Sequence, residues 1–81
     1  MTIKQVLELF KYNWKNKIEI TMNGDCGEQT EMLKPTLYDD IKLFQIKDLL
    51  DYEVYSLWIG YDEDNKPYFE ISFNDPDGEW K

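Results

Sequence analysis

Histidine and arginine are absent from the 81 residues, and cysteine occurs once, as Cys26. Without histidine there is no Ser-His-Asp or Cys-His catalytic pair, and the commonest general base and commonest metal ligand are both missing. One cysteine and no histidine also exclude the usual tetrahedral zinc ligand sets within one copy, and a lone cysteine excludes an intramolecular disulfide. Without arginine there is no bidentate phosphate clamp. Neither GxxxxGK[ST] nor GxGxxG occurs, so nucleotide chemistry has no support. No apolar run approaches the roughly 18–20 residues needed to span a bilayer, and the first residues lack the basic start, apolar middle and cleavage site of a signal peptide. These absences predict a non-enzymatic cytoplasmic protein with no cofactor, no metal and no catalytic residues.

What is present points to a folded domain. Apolar residues make up 42% of the chain and aromatic rings 16%, with three Trp, six Tyr and four Phe, a composition too rich in large side chains for a disordered polar segment. A chain of this length builds one modest core, burying about 60% of the surface exposed when unfolded. Residues 1–81 therefore read as a single domain. The net charge is -8, which repels phosphate backbones and disfavours direct nucleic-acid binding. That charge is uneven. Residues 1–24 hold four Lys against two Glu, net +2, and residues 25–81 hold five Lys against fifteen acids, net -10.

The pattern along the chain predicts an α+β fold: an N-terminal amphipathic helix packed on a small, mainly antiparallel β-sheet of three to four strands ending in a hairpin. Thr2 followed by Gln5 reads as a capping box. Ile3, Val6, Leu7, Phe10 and Trp14 form one helical stripe, predicting a helix over Ile3 to Trp14 whose apolar face covers the sheet. Lys17 to Asn23 alternates as a strand, and Asn23-Gly24 signals a turn because both residues tolerate positive φ. A second strand is expected over Gln29 to Lys34, before Pro35. Residues 36–53 read as an irregular or extended arm with a short helical turn around Lys47 to Tyr52. Val54 to Tyr61 and Pro67 to Phe73 are the clearest strands, joined as a hairpin by Asp62 to Lys66. Tyr55, Leu57 and Ile59 on one strand and Phe69, Ile71 and Phe73 on the other are expected to form the core.

Several apparent sites dissolve on inspection. Cys26 sits between Asp25 and Glu28, whose charge disfavours the reactive thiolate, so it reads as an incidental loop cysteine. Asp62, Asp64 and Asn65 suggest a calcium loop, but Lys66 and Pro67 occupy positions that need an oxygen ligand and a Gly. The acids are numerous enough for a glycosidase pair, but so small a domain leaves little room for a sugar cleft. What remains is an acidic surface, read either as solubilising or as a partner-binding face. Its candidates are Asp39, Asp40, Asp48, Asp51 and Glu53, then Asp62, Glu63 and Asp64, with Trp58 and Trp80 as aromatic contacts. For Trp58, packing beneath a loop is favoured over partner contact; for Trp80 a lid on the sheet and an exposed ring are equally expected.

The capped opening helix, the strand Lys17-Ile18-Glu19-Ile20, and Asp48-Leu49-Leu50-Asp51-Tyr52-Glu53-Val54 running into a terminal hairpin resemble in layout small uncharacterised proteins encoded by phages and mobile elements of Firmicutes. Some small acidic proteins of that setting are anti-CRISPR or anti-restriction inhibitors. The spaced carboxylates predict a phosphate-backbone mimic that occupies a basic nucleic-acid-binding surface of a partner, and the resemblance implies an inhibitor of that kind, a small acidic protein-binding module. The alternative expectation is a non-catalytic structural or accessory protein that forms homo-oligomers through a sheet edge or the Trp58 face.

Overall fold

A computed structural model describes residues 1–11, 16–41 and 45–78. Helix α1 (Ile3–Phe10) opens on the expected capping box: the Gln5 amide N–H donates to Thr2 Oγ1 at 3.3 Å, and the Gln5 side chain accepts from the Thr2 N–H at 2.9 Å. Two further N–H groups of its first turn are satisfied by tertiary partners, Ile3 donating to the Tyr52 carbonyl and Lys4 to that of Leu50. The helix is described to its cap at Lys11; Trp14, expected on its stripe, lies outside the described residues.

Four strands follow: β1 (Lys17–Asn23), β2 (Gln29–Leu37), β3 (Ser56–Tyr61) and β4 (Pro67–Asn74), in the sheet order β2-β1-β4-β3. β1 pairs antiparallel with β2 and parallel with β4, and β3 and β4 form the expected antiparallel hairpin. The molecule is thus α+β, one N-terminal helix on a mixed sheet that is mostly antiparallel. The parallel pair at its centre requires a long connection. Among the described residues, that connection contains the 3-10 turns Tyr38–Asp40 and Lys47–Leu49. The second realises the expected turn near Lys47; the first carries no period a sequence reader would recognise.

Two local expectations change. β2 continues through Pro35 to Leu37 instead of stopping at Lys34. It is an edge strand whose register against β1 shifts on both sides of Ile20, and an edge tolerates a residue without an N–H. The turn after β1 is not made by Asn23-Gly24: the Gly24 N–H and Glu28 carbonyl close the loop at 2.7 Å, and Gly27, at φ 87°, adopts the left-handed conformation.

The core is α1 on the two central strands. Ile3, Val6, Leu7 and Phe10 meet Ile18 and Ile20 of β1 and Ile71 and Phe73 of β4, with Ile46 and Leu49 closing one side. Phe10 packs on Phe69 at 4.5 Å between ring centroids, and Tyr52 stacks on Phe73 at 5.1 Å. The expected contribution of β3 to this core is overturned. Leu57 and Ile59 lie in register with Ile71 and Phe69, on the helix side of the sheet, yet are 49% and 52% exposed, and Tyr55 is exposed as well. The reason is width: a helix roughly 10–12 Å across covers about two strands spaced ~4.8 Å apart, and here those two are β1 and β4.

Candidate functional site

β3 forms because its sequence, SLWIGY, is apolar and β-favouring. Its pairing with β4 determines which of its groups are free. Asp62 donates its N–H to the Lys66 carbonyl at 3.0 Å, closing the hairpin. In an antiparallel ladder hydrogen-bonded pairs recur every second residue, so Gly60, Trp58 and Ser56 bond to β4. The N–H and C=O groups of Leu57, Ile59 and Tyr61 then point away from β4, toward the open edge.

The two edges of the sheet differ. β2 carries Glu31, Lys34 and Pro35 and two register irregularities, features that blunt an edge against pairing. β3 carries no charge, no proline and no bulge between Ser56 and Tyr61. Its side chains are exposed on both faces, Trp58 at 68% and Tyr61 at 65%, with Tyr55 exposed beside them. Buried aromatic rings account for roughly 150–250 Å² each, so three rings about two-thirds exposed present on the order of 400 Å² before Leu57 and Ile59 are added. The rings stand on both faces of the strand, so exposed apolar surface flanks the β3 edge on either side. Trp58, expected to pack under a loop, instead stands in the open, because no loop among the described residues covers that side of the hairpin.

On the face away from the helix, Trp58 lies beside Glu70 across the hairpin, and Glu70 neighbours Glu19 across the parallel pair. Burial, followed by the charges of Glu70 and Glu31, pushes the Glu19 carboxyl above the ordinary glutamate value. Burial first, then Glu19, Glu70, Asp62 and Glu31, pushes the Tyr68 phenol up as well. Tyr68 lies over Gly60, where an added Cβ would come within 2.6 Å of its ring. A shallow groove follows this face from Trp58 to Asn23 and Gln29. Its amides and hydroxyls serve one another: Gln29 donates to Asn23 at 3.2 Å, Asn23 donates to Asn74 at 3.4 Å, and Ser56 shares a hydrogen with Ser72. Glu70 Oε1 accepts from Thr21 at 3.3 Å, leaving carboxylate acceptor capacity unused by that bond.

The other acids do not join this face. Asp39 and Asp40 form an exposed 3-10 turn after β2, and Asp48 and Asp51 lie in the turns that bring Leu49 to the core on the helix side. Glu53 is beside the chain start, accepting from the terminal ammonium at 3.1 Å. Glu63 and Asp64 are exposed at the hairpin tip. Asp62 has a structural task there, its Oδ1 accepting from the Asp64 and Lys66 N–H groups at 2.9 Å each. Trp80 lies outside the described residues. Glu19, Glu31 and Glu70 were not singled out from sequence. Alternation places Glu19 and Glu70 on outer faces, but that β1 and β4 are neighbours is a fact of topology.

One group has the makings of a cation site. The ligand atoms of Asp25, Cys26 and Glu28 lie within 4.8 Å of one another in the exposed loop after β1. Asp25, by its charge and a hydrogen bond, raises the Cys26 thiol above its usual range, with Glu28 adding to the effect. The sulfur keeps its proton at neutral pH and makes a poor ligand.

Comparison with known proteins finds no family model, no curated protein and no solved structure that matches this chain.

Proposed function

We propose that this protein is a non-catalytic protein-binding module that takes an extended segment of another protein onto the open edge of β3. The observation that carries the reading is the contrast between the two edges of one sheet, β2 guarded by charge, proline and register breaks and β3 unguarded. Main-chain pairing supplies affinity in such strand addition, and side chains at alternate positions supply specificity. The net charge of -8 favours a basic partner and speeds its approach. A nucleic-acid-binding enzyme offers such a surface, so inhibition of one is the form of this function that the charge favours. The acids expected to imitate a phosphate backbone sit in separate places around the fold, so the support for that form is overall charge and not a continuous acidic track.

Self-assembly is the second reading, since the β3 edge would pair with the same edge of another copy. Two bodies each carrying -8 oppose that pairing.

A photo-crosslinking residue at position 61, compared with one at Thr30 on β2, tests the proposal in lysate of the source organism. Crosslinks to another protein are expected from position 61 and not from position 30, and are expected to fade when Leu57→Pro removes an outward N–H. Equal yields from both edges would refute it, and crosslinks only between copies of the chain would move the function to self-assembly.

A further inference from the structure

We infer that Trp58 and Glu70 together form a seat for a cationic side chain, Lys or Arg, carried by the strand that docks on β3. This rests on the strand-docking reading of that edge and adds the chemistry of the partner.

The geometry follows from the sheet. A residue of an added strand opposite Trp58 shares its face, away from the helix. Glu70 lies on the far side of Trp58, two strand spacings or about 10 Å from the added backbone. A Lys or Arg side chain crossing that interval must run over the indole ring before it meets the carboxylate. An aromatic face attracts a cation through its quadrupole, most strongly for Trp, and the carboxylate beyond it completes the site. An apolar side chain would gain the ring alone, and an acidic one would meet Glu70.

The surroundings support the choice of charge. Glu19 and Glu31 lie beyond Glu70 in the adjoining strands, and after burial, the larger cause, the charges of Glu70 and Glu31 add to the upward displacement of the Glu19 carboxyl. Glu63 and Asp64 follow β3, so a basic strand finds acids at the hairpin-tip end of the edge, whereas Glu53 before β3 is paired with the terminal ammonium. Of the described lysines in or beside the strands, Lys17 and Lys66 lie toward the hairpin-tip end of the sheet, as do Leu37 and Pro67, and Lys34 lies in β2, at the edge opposite β3. Asn23, Gln29 and Asn74 at one end of the groove bond to one another, as do Ser56 and Ser72, while the ring and the carboxylate supply the groups that attract a cation.

The test uses the isotopically labelled full chain and three probes: Nα-acetyl-arginine amide, a nine-residue peptide alternating Arg with Val, and its counterpart alternating Gln with Val. Nuclear magnetic resonance follows the Trp58 indole N–H and the β3 amides. The Arg peptide is expected to bind about tenfold more tightly than the Gln peptide. Trp58→Leu and Glu70→Gln should each erase most of that ratio, while Glu63→Gln, the same charge change at the hairpin tip, should keep it. If the Gln peptide binds as well, or Glu63→Gln weakens binding as much as Glu70→Gln, there is no cation seat; β3 amide shifts with either peptide would still uphold strand docking. If acetyl-arginine amide moves the indole resonance while neither peptide moves the β3 amides, strand docking falls and the seat stands. A dimer seen by light scattering before any peptide is added, with β3 amides protected from exchange, would give the edge to a second copy and overturn the inference.

Discussion

Replacing Ile59 by proline tests whether the β3 edge is open. Proline removes one N–H and fixes φ near the extended range, which a strand accepts where that N–H is not used. The ladder alternation directs the Ile59 N–H away from β4, so no bond within the sheet is lost. Ile59 is 52% exposed; full burial of such a side chain contributes ~1.5–3 kcal/mol, so its loss here costs about 1 kcal/mol. The stiffer unfolded chain returns roughly 0.4–1 kcal/mol. The net change should stay within about 1 kcal/mol. Trp58→Pro, one residue away, removes an N–H aimed at Glu70 and leaves a carbonyl without its donor, costing about 2–3 kcal/mol. A domain of this size holds only about 4–12 kcal/mol in total. In urea unfolding followed by circular dichroism, with a slope of about 1–3 kcal/mol/M, Ile59→Pro should move the midpoint by under about 1 M and Trp58→Pro by clearly more. Equal losses would mean that the Ile59 N–H is already bonded and that the edge is closed.

Glu19 and Glu70 are like charges side by side, and Glu19→Gln should stabilise the fold at pH 7 by up to about 1 kcal/mol. Because the folded state holds the Glu19 proton more firmly than the unfolded state, its contribution is most favourable below the unfolded value of 4.5 and is lost as pH rises through the higher folded value; urea midpoints across that interval should fall less steeply for the variant, and parallel slopes would show no linkage. Phe73, fully buried and stacked on Tyr52, should cost about 3–5 kcal/mol when cut to Ala, lowering the thermal midpoint by more than ~10 °C or abolishing the transition; a sharp transition near that of the parent chain would contradict the packing. Asp62→Ala removes the acceptor of two loop N–H groups and should cost about 1–2 kcal/mol, while exposed Glu63→Gln should stay within about 0.5 kcal/mol; equal effects in thermal melts would deny Asp62 its structural task.

Local order carries its own signature, which is why so much of the secondary structure can be read without coordinates. The Thr2–Gln5 capping box, the stripe Ile3, Val6, Leu7, Phe10 and the alternation of β1 and β4 depend on neighbours within a few residues. The hairpin of β3 and β4 joins strands separated by a short polar loop. The exclusions of histidine and arginine chemistry need no structure at all. Reading fails where the outcome depends on distant parts. β2 survives Pro35 because it became an edge, and Gly27 rather than Gly24 took the left-handed position because the loop closes between Gly24 and Glu28.

The candidate site divides in the same way. Alternation puts Trp58 and Glu70 on outer faces, and composition alone supplies the charge of -8. Nothing in the order of residues says that β1 and β4 lie side by side, which brings Glu19 to Glu70, or that an eight-residue helix is too narrow to reach β3. Apolar residues on the helix-side face are buried in β4, as Ile71 and Phe73, and exposed in β3, as Leu57 and Ile59. Periodicity determines which side chains share a face, and only the arrangement of strands across the sheet decides which of those faces is covered.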